Sequence, residues 1–132
     1  MSAPYEMIRH AHLKHRAFTE IVDKLDDSKF HFSAKDNLCA NGFQARAGSA
    51  ILDGYHPPFD ATPIRKMKAS GGQLVGKTTM DEFGFGTFST NSAHGVPLNP
   101  FDAERSCGGS SGGAGAAACL IPGHIALGVS TG

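Results

Sequence analysis

Two hydroxyls framed by paired glycines, Cys107-Gly108-Gly109-Ser110-Ser111-Gly112-Gly113, form the stretch whose residue types best suit chemistry. Glycine on both sides lets the backbone come close to a substrate or to another strand. A flexible Gly/Ser linker would share this composition, but the apolar run 114–120 follows at once, which a solvated linker has no reason to carry. The serine pair is not a GxSxG nucleophile elbow either, because no strand leads into it. The second candidate is Lys35, which closes the alternating stretch Phe30, Phe32, Ala34 and precedes Asp36-Asn37. A strand-end lysine is ordinarily solvated. Inside a partly buried pocket, desolvation disfavours its charged form, and it could then act as a base toward a serine.

Other patterns have simpler readings. Gly71-Gly72-Gln73-Leu74-Val75-Gly76-Lys77-Thr78 matches GxxxxGK[ST] letter for letter. A phosphate-binding loop must follow a strand and open a helix so that amides and the helix N-terminus face the anion. Here a helix precedes it and Leu74-Val75 are strand-like, so a helix-turn-strand connection with a solvent-facing lysine is expected. His12 and His15 stand three apart, with His10 nearby, but no acidic or cysteine partner completes a metal set, and surface histidines are expected. Asp81-Glu82 are adjacent carboxylates whose side chains diverge, which suits the opening of a helix better than paired acid–base work. Cys39, Cys107 and Cys119 are an odd, widely spaced set without CxxC, which disfavours a disulfide framework or a zinc site.

The elements that must position Lys35 and the serines follow from periodicity. Residues 5–27 read as one surface helix, with Ile8, Ala11, Phe18, Ile21, Val22 and Leu25 at three- and four-residue steps. A short strand ends at Lys35. Asn41-Gly42 marks a turn, and residues 47–60 are mostly loop. Thr62 before Pro63 is an N-cap pairing that opens a helix, which Gly71-Gly72 stop. Residues 73–75 form a short strand. Met80, Phe83, Phe85 and Phe88 could line one face, although Gly84, Gly86, Pro97 and Pro100 interrupt any long element there. Residues 114–120 form a small-residue helix ended by Pro122-Gly123, and residues 125–129 a buried strand. This alternation fits a mixed α/β sheet covered by helices. A length of 132 residues allows one domain. With 12 basic against 12 acidic side chains, a phosphate-tracking nucleic-acid binder is disfavoured. No apolar run approaches the ~18 residues of a membrane span, and residues 1–10 lack the apolar core of a signal peptide. A reduced, cytoplasmic chain is expected.

Taken together, five collinear motifs resemble the amidase signature family. They are Ser33-Ala34-Lys35-Asp36-Asn37, Gly76-Lys77-Thr78-Thr79-Met80-Asp81-Glu82-Phe83, Asn99-Pro100-Phe101-Asp102, Gly108-Gly109-Ser110-Ser111-Gly112-Gly113 and Gly128-Val129-Ser130-Thr131-Gly132. Met80-Asp81-Glu82-Phe83 and the following residues 84–92 are most similar to one branch, the A subunits of glutamyl-tRNA(Gln) or aspartyl-tRNA(Asn) amidotransferases. The resemblance implies the N-terminal portion of that fold, a mixed sheet covered by helices and incomplete at the C-terminus. Residues 1–132 would be a partial amidase domain, with a helical segment about 5–27 and then the start of the catalytic core. It also implies a Ser-Ser-Lys relay in which Lys35 is the lysine and Ser110 the serine on a cis peptide after Gly109. Thr131 and Gly132 match the start of the family's oxyanion turn. The nucleophilic serine would follow Gly132, with Gly-Ser expected next, so the 132 residues alone are expected to be inactive, with an incomplete sheet and exposed apolar surface.

The implied reaction hydrolyses the side-chain amide of glutamine through an acyl-serine. Ammonia would pass to a tRNA-binding partner subunit, and a small accessory subunit would complete the complex. ATP and Mg are expected on the partner; no cofactor, metal, direct nucleic-acid contact or membrane association is expected for this chain. A stand-alone amidase on small amides and a catalytically silent fragment or interaction module are the alternatives. Two departures stand out: Ser130 occupies a position where the family commonly has Asp, and the approach to Lys35 is short and lacks the usual proline.

Overall fold

The structure, a computed structural model, describes residues 3–130. Its elements are α1 (Ala3–Leu13), β1 (Phe18–Ile21), β2 (Phe30–Lys35), α2 (Thr62–Ala69), β3 (Gly72–Thr78), α3 (Gly112–Leu120) and β4 (Ile125–Leu127), with short 3-10 turns at Ala50–Leu52 and Glu82–Gly84. The strands form one sheet in the order β1-β3-β2-β4. β2 is parallel to both its neighbours, whereas β1 is antiparallel to β3. The mixed α/β architecture agrees with the sequence reading, and several boundaries do not.

The single helix expected over residues 5–27 is a helix and a strand. Arg16 takes a left-handed φ of 53°, the amide of Ala17 closes back on the carbonyl of Ala11 at 3.0 Å, and the chain leaves the helix there. Phe18 and Ile21 then pair with Thr78 and Gly76 of β3. Glycine is required at position 76, because a Cβ there would lie 2.6 Å from the Phe18 ring and 2.7 Å from the Glu20 carbonyl. The strand expected over 73–75 extends to Thr78. Its register with β2 slips by one residue, Phe32 facing Leu74 and Ser33 facing Gly76, so Val75 is the extra residue of a bulge.

Alternation along β3 sends neighbouring side chains into two cores. Val75 packs with Ile8 and Ala11 of α1, Phe18, and Ala116 and Ala117 of α3. Leu74 packs with Phe32, Ala34, Ala40 and Ile64 of α2. The small residues of α3 allow a very close approach: a Cβ on Gly113 would strike the main chain of Thr79 and Ala17. The Gly113 amide instead donates to the Thr79 carbonyl at 2.9 Å, so helix and sheet meet backbone to backbone.

α2 is capped at Ala61 without a side-chain bond, and Thr62 is already helical. Lys77 is not solvent-facing. It lies fully buried in β3, 3.2 Å from Asp36 and 3.0 Å from the Gln44 carbonyl, so the GxxxxGK[ST] stretch is a turn and a strand. Only Met80 of the proposed Met/Phe face is buried; Phe83, Phe85 and Phe88 are exposed, as is Phe101. β4 is a half-exposed edge strand rather than a buried one. His12 Nδ1 lies 2.9 Å from the Phe18 carbonyl, and the His10 and His15 rings are 5.3 Å apart. Among the described residues no three His, Cys, Asp or Glu side chains group as a metal site, and no helix is long and apolar enough to cross a membrane.

Candidate active site

Lys35 is the last residue of β2, and only 1% of its surface is exposed. Alternation along the strand sends Phe32 and Ala34 into the α2 core and leaves Ser33 and Lys35 on the other face. Lys35 Nζ donates to Ser110 Oγ at 2.6 Å and to the carbonyl of Val129 at 2.8 Å. Ser110 stands just before α3, and its peptide bond with Gly109 is cis, the geometry the family resemblance implies. The two residues singled out from opposite ends of the sequence are thus direct partners.

The next serine ties the site together. Ser111 Oγ donates to the Val129 carbonyl at 3.2 Å and accepts from the Val129 amide at 3.3 Å. Lys35 and Ser111 therefore share one carbonyl acceptor on the chain leaving β4. A cavity of about 150 Å³ opens over the pair, lined by Lys35, Asn37, Phe83, Gly84, Phe85, Ser110 and Val129. Desolvation pushes the Lys35 pKa below its ordinary value, and the charge of Asp81 works in the opposite direction. An amine held toward neutrality within 2.6 Å of a hydroxyl can exchange a proton with it.

Asp81 and Glu82 do open a short helical turn, Asp81 at its N-cap and Glu82 in its first turn, but the Asp81 side chain makes no capping bond there. Asp81 is buried, and its carboxylate accepts from the amides of Ser89 at 3.0 Å and Asn91 at 2.9 Å, whereas Glu82 is half-exposed. Ser89 Oγ in turn accepts from the Gly112 amide at 3.0 Å. Behind the lysine, Asp36 turns its carboxylate to Lys77 and, at 4.0 Å, to Arg46 Nε. Thr131 and Gly132, the expected start of an oxyanion turn, lie outside the described residues. Sequence reasoning gave no site role to Ser89 or the Val129 carbonyl, singled out Ser111 only as one of the glycine-framed hydroxyls, and read Asp81 only as part of a helix opening. The available signal was Gly86 and Gly109, where an added Cβ would strike the Asp81 carboxylate.

Comparison with known proteins places this geometry in context. Residues 31–132 match the Amidase family. The chain is 50% identical over 98 residues to the A subunit of the chloroplastic/mitochondrial glutamyl-tRNA(Gln) amidotransferase of Arabidopsis thaliana, covering 74% of this chain and 18% of that protein. The crystal structure of the A subunit of glutamyl-tRNA(Gln) amidotransferase from Thermotoga maritima superposes with a TM-score of 0.81 at 35% identity, over 86% of this chain and 26% of that one. Native peptide amidase from Stenotrophomonas maltophilia gives 0.73 at 25% identity, over 85% and 28%. The chain thus spans 18% of the Arabidopsis protein and about a quarter of the two solved chains. The match starts one residue inside β2 and takes in Lys35, Ser110 and their hydrogen-bond partners Asp81 and Val129, and on that ground the chain belongs to the amidase family.

Proposed function

We propose that these residues supply the base and relay of an amide-hydrolysing centre that releases ammonia from glutamine within a tRNA-dependent amidotransferase. The observation that carries this reading is the 2.6 Å contact between buried Lys35 Nζ and Ser110 Oγ. With Lys35 neutral, the bond reverses: the Ser110 hydroxyl donates to the Nζ lone pair, and an Nζ hydrogen still reaches the Val129 carbonyl. Ser110 Oγ is then free to accept a proton from a nucleophilic serine as that serine attacks the amide carbon. The proton returns along the same path to the departing ammonia. In this proposal the nucleophile lies beyond Gly132, Thr131 and Gly132 begin the oxyanion turn, and the 132 residues alone do not turn over.

The tRNA-dependent assignment is supported by the names of the relatives from Arabidopsis thaliana and Thermotoga maritima. It brings with it two partners, one that binds tRNA and a small accessory one, with ATP and Mg on the former rather than on this chain. The balanced charge, 12 basic against 12 acidic side chains, suits a chain that leaves tRNA to its partner. The cytoplasm is the proposed compartment. The Arabidopsis relative is named chloroplastic/mitochondrial, so cell fractionation is the direct test.

The full-length protein should release ammonia from glutamine and co-purify with a tRNA-binding subunit. Hydrolysis of simple aliphatic amides without glutaminase activity would favour the stand-alone amidase instead, a reading that the likeness to peptide amidase supports. Glutamine hydrolysis by the 132 residues alone would refute the assigned chemistry.

A further inference from the structure

We propose that Asp81 is a positioning residue for the Lys35–Ser110 pair: its amide holds the carbonyl of Ser110 while its buried carboxylate ties residues 89–91 behind the cis-serine loop. The direct bond, Asp81 amide to Ser110 carbonyl, is 3.2 Å. The indirect one runs from the carboxylate to the Ser89 amide at 3.0 Å and from Ser89 Oγ to the Gly112 amide at 3.0 Å. The loop carrying Ser110 is therefore anchored on Asp81 from both sides.

The space around the carboxylate is shaped for it. A Cβ on either Gly86 or Gly109 would strike the carboxylate, and one on Gly109 would also come within 2.8 Å of the Ser89 amide. Two oxygens accept from two separate amides, Ser89 and Asn91. Asparagine offers one acceptor oxygen, and its NH₂ would face an N–H donor. Glutamate keeps both acceptors and the charge but adds a methylene where the glycines leave no room.

Asp81 also acts on Lys35 through space, as the charge that opposes desolvation there. Asp36, next to Lys35 in the chain, is engaged by Lys77 at 3.2 Å and Arg46 at 4.0 Å. Removing the Asp81 charge favours neutral Lys35 further, so the lysine titrates at lower pH. A residue that merely filled space would leave that titration where it is.

The kinetic part of this inference rests on the proposed function; the titration part does not. The test uses full-length protein with ¹³C-labelled lysine, in wild type, Asp81→Asn and Asp81→Glu, with Lys35→Met to assign the Lys35 signal. In Asp81→Asn the Lys35 midpoint should fall below wild type and the acid limb of glutamine hydrolysis should move to lower pH. Loop misplacement should cut kcat by about 10²-fold with KM little changed. In Asp81→Glu the Lys35 midpoint should stay at its wild-type position while kcat still falls. An unmoved Lys35 midpoint in folded Asp81→Asn overturns the inference. Where Asp81→Asn does not fold, wild-type kcat in Asp81→Glu overturns it. A wild-type protein that hydrolyses no amide removes the proposed function, and the titration arm then decides the role of Asp81 by itself.

Discussion

Replacing Lys77 by methionine should destabilise the chain in a pH-dependent way. Lys77 and Asp36 are 3.2 Å apart and no more than 1% exposed, and Lys77 Nζ also donates to the Gln44 carbonyl at 3.0 Å. Methionine fills a similar volume, so the loss is electrostatic rather than steric. It leaves Asp36 buried with Arg46 Nε at 4.0 Å as its nearest cation. Breaking a buried pair from one side costs about 3–5 kcal/mol, against a total stability of about 5–15 kcal/mol for an ordinary domain. Burial already pushes the Asp36 carboxyl above its ordinary range, and Lys77 and then Arg46 oppose that rise. Without Lys77 it rises further. A carboxyl whose folded pKa lies above its unfolded value of about 3.9 loses stability as pH climbs from there through the folded pKa. The deficit should thus be small near pH 4 and grow as pH rises toward 7. Urea unfolding at both pH values reads it as a shift in midpoint at constant slope. The double variant Lys77→Met/Asp36→Leu should recover most of the loss, because it removes both charges together. A deficit under about 1 kcal/mol that does not change with pH, the behaviour of an exposed pair, would refute the reasoning and mean that water reaches the pair.

Three other outcomes follow from the same structure. Lys35→Ala and Ser110→Ala should each lower glutamine hydrolysis by the full-length protein by at least about 10²–10⁴-fold, the span ascribed to general acid–base groups, with circular dichroism unchanged. Gly113→Ala should destabilise the chain by about 1–3 kcal/mol in urea, the range for overpacking, because the new methyl meets the Thr79 and Ala17 main chain. Burial, with a smaller push from His31, holds His124 at a pKa of about 4 beside Ser33 Oγ at 2.8 Å. The unfolded chain takes up a proton near pH 6.5 that the folded chain refuses, so stability should fall between about pH 6.5 and 4 by at most about 3 kcal/mol, and His124→Gln should flatten that slope.

The parts of the fold that are legible in the sequence are those carried by local pattern. Alternation at Phe30, Phe32 and Ala34 locates β2 and puts Lys35 at its end. Paired glycines around Ser110 and Ser111 mark a close approach, and the small residues after them mark α3. Family resemblance, not pattern, supplies the pairing of Lys35 with Ser110 and the cis bond between Gly109 and Ser110. Periodicity overextends the first helix because Phe18, Ile21, Val22 and Leu25 satisfy a helical period, while the turn that ends α1 is made by Arg16 at positive φ, without Gly or Pro to announce it. It cuts β3 short because Gly76 and Lys77 look like a turn and a surface charge. Their roles depend on Phe18 and Asp36, at least 41 residues away in sequence. Asp81 escapes a sequence reading for a related reason: its partners at 89 and 91 are main-chain amides, which leave no trace in residue type.

The acceptor that holds Lys35 is a main-chain carbonyl 94 residues downstream. During synthesis at about 5–20 residues per second, Lys35 is added to the chain about 5–20 s before Val129. For that interval Lys35 lacks the carbonyl that orients it, and for most of it Ser110 as well. In the proposed mechanism the order of translation thus times the assembly of the base, which waits until the segment after β4 lies beside α3. Truncation or ribosome stalling ahead of residue 129 would leave that lysine as inert as any on the surface.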